Sequence, residues 1–311
     1  MKNIEKYRIF CKKEENIPLF SKDWYLDAVC GKDNWNVALV EKSNEIIASL
    51  PYYMKKKKGI FTIISMPEYT QTMGVYIVYP HGQKYEKKLS YEKELMTKLI
   101  EQLPKVDYFN QSFHMNITNW LPFYWKGFTQ TTLYSYVIED ISNIEKVISS
   151  FNHAKRKNIK KAEKLLTVKF DLSAEEFYEN HKMTLAQQKS TISYSFKSFK
   201  RLYDATYRHN AGKTIYAIDE ENNLHAALFV IWDKNSAYDL ISTIDPTYRN
   251  SGAGTLLIKE ILYFLSDKTK KFDFEGSMIE NVEKSFRQFG TTQQAYFNIS
   301  KIDSKLLKVL I

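Results

Sequence analysis

Cysteine is nearly absent: Cys11 and Cys30 are the only two among 311 residues. They have no Cys-x-x-Cys spacing and no cysteine–histidine cluster beside them, so neither a disulfide framework nor a metal site is expected. The six histidines are scattered without a serine or cysteine partner motif, which leaves a Ser–His or Cys–His covalent mechanism without support. No apolar run reaches membrane-spanning length, and the N-terminus, Met1-Lys-Asn-Ile-Glu-Lys-Tyr-Arg8, has no apolar signal core. These absences point to a cytoplasmic chain without a transmembrane segment. Glycine is sparse at ten residues, yet two of the ten, Gly252 and Gly254, stand almost side by side.

What is present is enough for two domains of ordinary size with a sizeable core: 44% of residues are hydrophobic, with 22 Tyr and 19 Phe. Most of these aromatics should be buried, because each removes a large area from water. The net charge of +9 suits anionic partners such as CoA, a nucleotide-linked sugar, RNA or an anionic membrane surface. A solvated, lysine-rich surface accounts for much of the same lysine.

Ser236 to Asp245 alternates as a strand, and Thr255 to Leu265 repeats Leu257, Ile261 and Leu265 at helical spacing. Between them lies Arg249-Asn-Ser-Gly252-Ala-Gly254. The first N–H groups of a helix have no internal partner and sit at the positive end of its dipole, so a glycine-bearing loop there can hold an anion. The third glycine of the dinucleotide motif and the Gly-Lys-Ser/Thr of a Walker loop are both missing. Arg249, Asn250, Ser251, Gly252, Ala253, Gly254 and Thr255 are the candidate anion-binding residues.

Along the rest of the chain, strands are expected at Trp35 to Glu41, Glu45 to Met54 and Ile60 to Met66, with a charged turn at Lys55 to Gly59. A helix is expected from Tyr85 to Leu103. A long helix should begin at Ile144 and continue through the basic stretch to Lys164, placing a domain boundary near Asn143. Ser173-Ala-Glu-Glu176 reads as a capping box. A third helix should end at Gly212, and a three-strand meander should follow to Asp245. Lys271 to Gly276 reads as one strand, Asn281 to Phe289 as a short helix. Both halves run helix, antiparallel strands, helix, strand, short helix, strand, a repeat of pattern without repeat of sequence.

Three further stretches complete a resemblance. Arg156-Lys-Asn-Ile-Lys-Lys-Ala-Glu-Lys164, Phe272-Asp-Phe-Glu-Gly276 and Lys284-Ser-Phe-Arg-Gln-Phe-Gly290 are similar to motifs of the FemABX-like branch of the GNAT superfamily, including its BioF2-like acetyltransferases. Arg249-x-x-Gly252-x-Gly254 fits the acyl-CoA pattern of GNAT N-acyltransferases. The resemblance implies an α/β (α+β) fold of two tandem GNAT-like domains, each a mixed, mostly antiparallel sheet flanked by helices. It places an acceptor-side domain without a donor site at 1–142 and a donor-binding domain at 143–311.

It also implies acyl transfer to an amine, with acetyl-CoA or another acyl-CoA as co-substrate and no metal. The acceptor would be a small-molecule or carrier-linked amine, such as an amino sugar or cell-envelope precursor. Members of this branch that use aminoacyl-tRNA act on cell-wall precursors; the chain lacks the long helical arm some of them carry, and its full Arg-x-x-Gly-x-Gly loop favours acyl-CoA. A non-catalytic binding module on the same fold is the remaining alternative.

Catalytic candidates follow from position. Asp273 and Glu275 should share one face of their strand, opposite Phe272 and Phe274, because side chains alternate; a carboxylate there could accept the acceptor's proton. An ion pair with a nearby lysine or arginine is the competing reading. The resemblance to GNAT enzymes, in which a tyrosine near the thioester often protonates the leaving thiolate, makes Tyr238 on the adjacent strand a candidate for that role, with Tyr296 as a rival. Lys155 to Lys164 carries six Lys or Arg against one Glu and is either a phosphate-binding face or a solvated surface. Met66-Pro-Glu-Tyr-Thr-Gln-Thr-Met-Gly74 could present polar groups to an acceptor or serve as a turn-rich connector.

Overall fold

The computed structural model describes residues 1–276 and 278–310. The chain opens with helices α1 (Asn3–Lys13) and α2 (Asp23–Cys30) and strands β1 (Asn36–Lys42), β2 (Glu45–Lys57), β3 (Phe61–Ser65) and β4 (Tyr76–Ile77). Then come α3 (Tyr85–Glu101), β5 (Tyr108–Ser112), α4 (Leu121–Trp125) and β6 (Thr129–Ile138). The second half runs α5 (Ile144–Ser150), α6 (His153–Ala162), β7 (Thr167–Phe170), α7 (Ala174–Gln187) and α8 (Phe196–Arg208). The meander β8 (Gly212–Ile218), β9 (Leu224–Trp232) and β10 (Ser236–Ile244) follows. A 3-10 segment, Pro246–Ser251, leads into α9 (Ala253–Leu265); β11 (Lys271–Asp273), α10 (Glu280–Phe286), β12 (Thr292–Ile302) and α11 (Lys305–Leu310) complete the chain.

Two compact units form. One contains Met1–Leu133 with Ala295–Ile311, the other Tyr134–Gln294. In the first, β1, β2 and β3 are antiparallel, β3 pairs with β5 in parallel, β5 pairs with β12 antiparallel, and β4 pairs with β2. In the second, β7 through β10 are antiparallel, β10 pairs with β11 in parallel, and β11 pairs with β6 antiparallel. Both units follow one plan: antiparallel strands, a parallel pair, an antiparallel closing strand. Parallel neighbours need a crossover connection, and α3 and α9 supply it in the two units.

The closing strands are exchanged along the sequence. β12, near the C-terminus, closes the first unit through Asn298–Ile302, while Val137 and Ile138 of β6 close the second. The units therefore differ from the expected 1–142 and 143–311.

The core of the second unit gathers on α9. Leu257, Ile261 and Leu265 are fully buried and pack in one cluster with Leu228 and Val230 of β9, Phe272 and Phe274. The capping box forms as expected: Ser173 and Glu176 exchange side-chain to backbone hydrogen bonds at the head of α7. The long helix expected from Ile144 to Lys164 is broken. Phe151 and Asn152 are extended, and Asn152 Oδ1 accepts from Lys155 N at 2.8 Å. An N-cap asparagine satisfies a helix donor that a continuous helix would have used internally, so α6 starts afresh. Gly212 begins β8 and does not end α8. β11 stops at Asp273, short of the expected Gly276, because Glu275 is left-handed with φ +58°.

Candidate functional site

The glycine loop is built from its strand outward. Asp245, at the end of β10, accepts from Thr247 N at 2.8 Å and so caps the 3-10 segment. Tyr248 stacks on His225 with ring centroids 4.0 Å apart and planes 8° from parallel. Gly252 then turns into α9 with φ +86°. A Cβ at this position would stand 2.6 Å from the backbone oxygen of Asn158, so only glycine lets the N-terminus of α9 lie against α6. Ala253 N donates to Ser251 Oγ at 3.2 Å, and Thr255 N and Leu256 N both donate to Gly252 O at 3.1 Å. The N–H of Gly254 has no partner among the described residues. Asn250 faces the other way, its carbonyl accepting from Lys161 Nζ at 2.8 Å.

A cavity of about 330 Å³ opens at this helix start. Arg249, Gly252, Gly254 and Thr255 line it from the loop, Lys155 and Asn158 from α6. Its far wall lies where the parallel strands separate. β10 and β11 pair from Ser236 opposite Lys271 to Tyr238 opposite Asp273 and no further, and Asp239, Ser242, Ile244 and Phe274 line the cavity just beyond. A register shift in β10 between Asp239 and Ile241 marks the same place.

Two cations border the cavity without carboxylate partners among the described residues. Arg249 is exposed. Lys155 is half-buried, donates to Ser285 Oγ at 2.9 Å and sits 4.0 Å from the centroid of the Phe289 ring. Burial lowers its pKa to about 8. A helix N-terminus with a free N–H between two unpaired cations is suited to an anionic group such as a diphosphate.

Acidic residues collect on the other side. Asp239 is buried, and Ser242 Oγ lies 2.8 and 2.7 Å from its two carboxylate oxygens. Burial pushes Asp239 up to about 6, although Ser242 pulls it back. Asp273 is buried and accepts from Ser135 Oγ and from Glu275 N, the latter at 2.8 Å. Glu275 Oε1 is buried with no hydrogen-bond partner. Burial first, then the charges of Asp273 and Asp239, raise Glu275 well above the usual carboxylate range.

The structure thus regroups the candidates. Of the loop residues, Arg249, Gly252, Gly254 and Thr255 line the cavity; Asn250, Ser251 and Ala253 make local contacts instead. Asp273 and Glu275 do not share a strand face, since Glu275 leaves the strand. Neither they nor Tyr238 lines the cavity. Tyr238 is buried opposite Asp273 in register, and burial raises its hydroxyl well above the usual range. Asp239, next to Tyr238 in sequence, and Lys155 and Asn158, within the basic stretch, are the cavity residues that pattern alone did not single out. Among the described residues no group of three or more metal-ligating side chains is placed to hold an ion.

Residues 149–277 match the family model of the acetyltransferase (GNAT) domain. The match spans α6 to β11 and includes the glycine loop and the separated strands. The fold of the whole chain is similar to that of FemX, with 12% identity and a TM-score of 0.71 over 99% of this chain and 98% of that one. L-PGS from Bacillus licheniformis is similar at 10% identity and a TM-score of 0.57, over 98% and 94%. A tandem GNAT protein from the clavulanic acid biosynthesis pathway follows at 7% identity and 0.51, over 96% and 92%. Comparison with curated proteins finds no sequence match. The chain carries a GNAT acetyltransferase domain in its second half. That match covers less than half of the chain; over its whole length the chain shares the fold of FemX and of the tandem GNAT protein.

The two glycines should behave differently. Gly252→Ala forces a side chain into left-handed backbone and against the Asn158 carbonyl, at a cost of about 2 kcal/mol or more. Gly254→Ala meets only the tip of the Ile244 side chain, at 2.9 Å. Ala is favoured over Gly in a helix by about 1 kcal/mol, so stability should hold or rise. Thermal unfolding of the two variants checks this; equal destabilisation would contradict the packing role of Gly252.

The buried acids set a pH signature. Because the folded pKa of Asp239 lies above its unfolded value of about 3.9, the native state holds the extra proton, and stability falls as pH rises from about 4 to about 6. Asp239→Asn should remove part of that fall, on the order of 2 kcal/mol. Denaturant unfolding of both proteins across this range measures the difference, and parallel pH profiles would contradict the assignment.

Proposed function

We propose that the second unit transfers an acyl group, most simply acetyl, from acyl-CoA to an amine. The cavity at the start of α9 carries the reading: a free Gly254 N–H and two unpaired cations, Lys155 and Arg249, meet there. The CoA diphosphate would lie against this helix start, with the thioester directed to the separation of β10 and β11. The amine of the acceptor attacks the thioester carbonyl, the C–S bond breaks, and CoA leaves as the thiolate. The proton lost by the nitrogen passes to Asp239 at the cavity wall, whose pKa of about 6 leaves it largely ionised at neutral pH, with Glu275 and Asp273 buried behind it. A carboxylate held near neutral pKa is suited to this exchange. Tyr238 does not line the cavity, and the proposal gives it a packing role. No covalent enzyme intermediate is needed, and the rate would come from positioning and from donors facing the developing oxyanion.

The first unit is proposed to serve the acceptor and to hold no CoA. Its counterpart loop, Tyr79-Pro-His-Gly-Gln-Lys84 before α3, holds one glycine, Gly82, and Pro80, which has no N–H to donate. The acceptor class proposed is an amino sugar or a cell-envelope precursor, in a cytoplasmic setting.

Acetyl-CoA should raise the unfolding temperature of the chain with one site per chain by calorimetry. Arg249→Ala should weaken binding by about ten- to a hundredfold, the range of a lost charge-assisted hydrogen bond. Stabilisation by aminoacyl-tRNA and not by acetyl-CoA would contradict the donor assignment, and response to neither would point to a binding module.

A further inference from the structure

One end of the first unit carries an unusual surface that the donor site does not use. The hairpin joining β2 to β3 pairs as far as Lys57 opposite Phe61. Its turn, Lys58-Gly59-Ile60, is tight, with φ +51° at Lys58 and +74° at Gly59. Lys55, Lys56, Lys57 and Lys58 therefore surround a crest formed by Ile60, whose side chain is 65% exposed. On one face of the hairpin, Leu307 of α11 packs onto Phe61 and Ile63. That contact fixes α11 beside the tip and leaves Leu306 59% exposed between exposed Lys305 and Lys308. Met54, on the opposite face of β2, is also exposed. Lys105 precedes β5 at the same end of the sheet, since Asp107 N donates to Thr62 O at 2.8 Å.

The acids near this end are already engaged. Asp107 Oδ2 accepts from Thr62 N at 2.8 Å, and Asp303 pairs with Lys301 at 3.3 Å. None of Lys55, Lys57, Lys58, Lys105, Lys305 or Lys308 has a carboxylate partner among the described residues. The tip is thus an uncompensated cluster of positive charge with large apolar side chains at its crest.

We propose that this end of the first unit docks on an anionic lipid bilayer, with Ile60 and Leu306 entering the headgroup region and the lysines resting on the surface charge. The combination selects the partner. A nucleic acid would use the lysines but has no use for exposed Ile60, Leu306 and Met54. An interfacial membrane site uses both, because apolar insertion and attraction to anionic lipid act together. Among the described residues no helix is long and apolar enough to cross a membrane, so the association would be peripheral and reversible. The proposal is independent of the donor assignment, because none of these residues lines the α9 cavity.

Flotation of the full chain with vesicles tests it. The chain should float with phosphatidylcholine vesicles that contain phosphatidylglycerol, not with phosphatidylcholine alone, and added salt should release it. Replacing Lys55, Lys56, Lys57 and Lys58 together by Gln should weaken vesicle binding by roughly a hundredfold, since each lysine near the surface contributes appreciably. Ile60→Asp should weaken it with the lysines intact. All these positions are exposed, so circular dichroism and acetyl-CoA binding should be unchanged. Failure to bind anionic vesicles, or variants that bind as tightly as the parent, would overturn the proposal. Lysine-dependent binding of RNA with no vesicle binding would assign the surface to nucleic acid and overturn it equally.

Discussion

The approach of Gly252 to the carbonyl of Asn158 sets the geometry of the cavity at the start of α9. A Cβ would stand 2.6 Å from that oxygen, so α9 can begin against α6 only because the residue is glycine and left-handed. The contact brings Lys155 and Asn158 of α6 to the same opening as Arg249 and the free N–H of Gly254. The rest of α9 is then held by its apolar face, Leu257, Ile261 and Leu265, buried against β9 and the Phe272–Phe274 stretch. The cavity and the core of the second unit are consequences of one helix placement.

Charge is divided across this cavity. At its mouth are cations with no carboxylate partner among the described residues; Asp239 lines its far wall, and Asp273 and Glu275 lie buried beyond it, where burial first and then the charges of Asp273 and Asp239 raise Glu275. Burying carboxylates is costly unless they are hydrogen-bonded or protonated. Ser242 and Ser135 supply part of the compensation, while Glu275 Oε1 has none and its backbone is left-handed. Unsatisfied buried polar groups and strained backbone are what a fold discards unless something else keeps them, and they gather at working sites.

Much of this was legible in the sequence because it depends on local spacing. The meander, the α9 stripe, the capping box at Ser173 and the glycine pair all follow from residues within one turn or one hairpin. What was not legible depends on contacts far apart in the chain. The helical spacing of Ile144, Val147 and Phe151 runs on into the basic stretch, and only the cap at Asn152 shows that α6 is separate. That restart orients Lys155 toward the cavity, so a residue that read as one charge in a basic run proves to be a lining cation. Strand alternation placed Asp273 and Glu275 together, but the rule fails once Glu275 leaves the strand. The exchange of β6 and β12 between the units has no local signal at all, because a strand's partner is set by the sheet it completes.

Hydrogen–deuterium exchange of the full chain with and without acetyl-CoA tests most directly whether the donor lies at the start of α9. Bound diphosphate should slow exchange of the Gly254 amide and its neighbours in the first turn of α9, and of the adjoining start of α6, while the loop before α3 in the first unit is unchanged. Acetyl-CoA that binds without protecting the first turn of α9, or that protects the loop before α3 instead, would contradict the assignment.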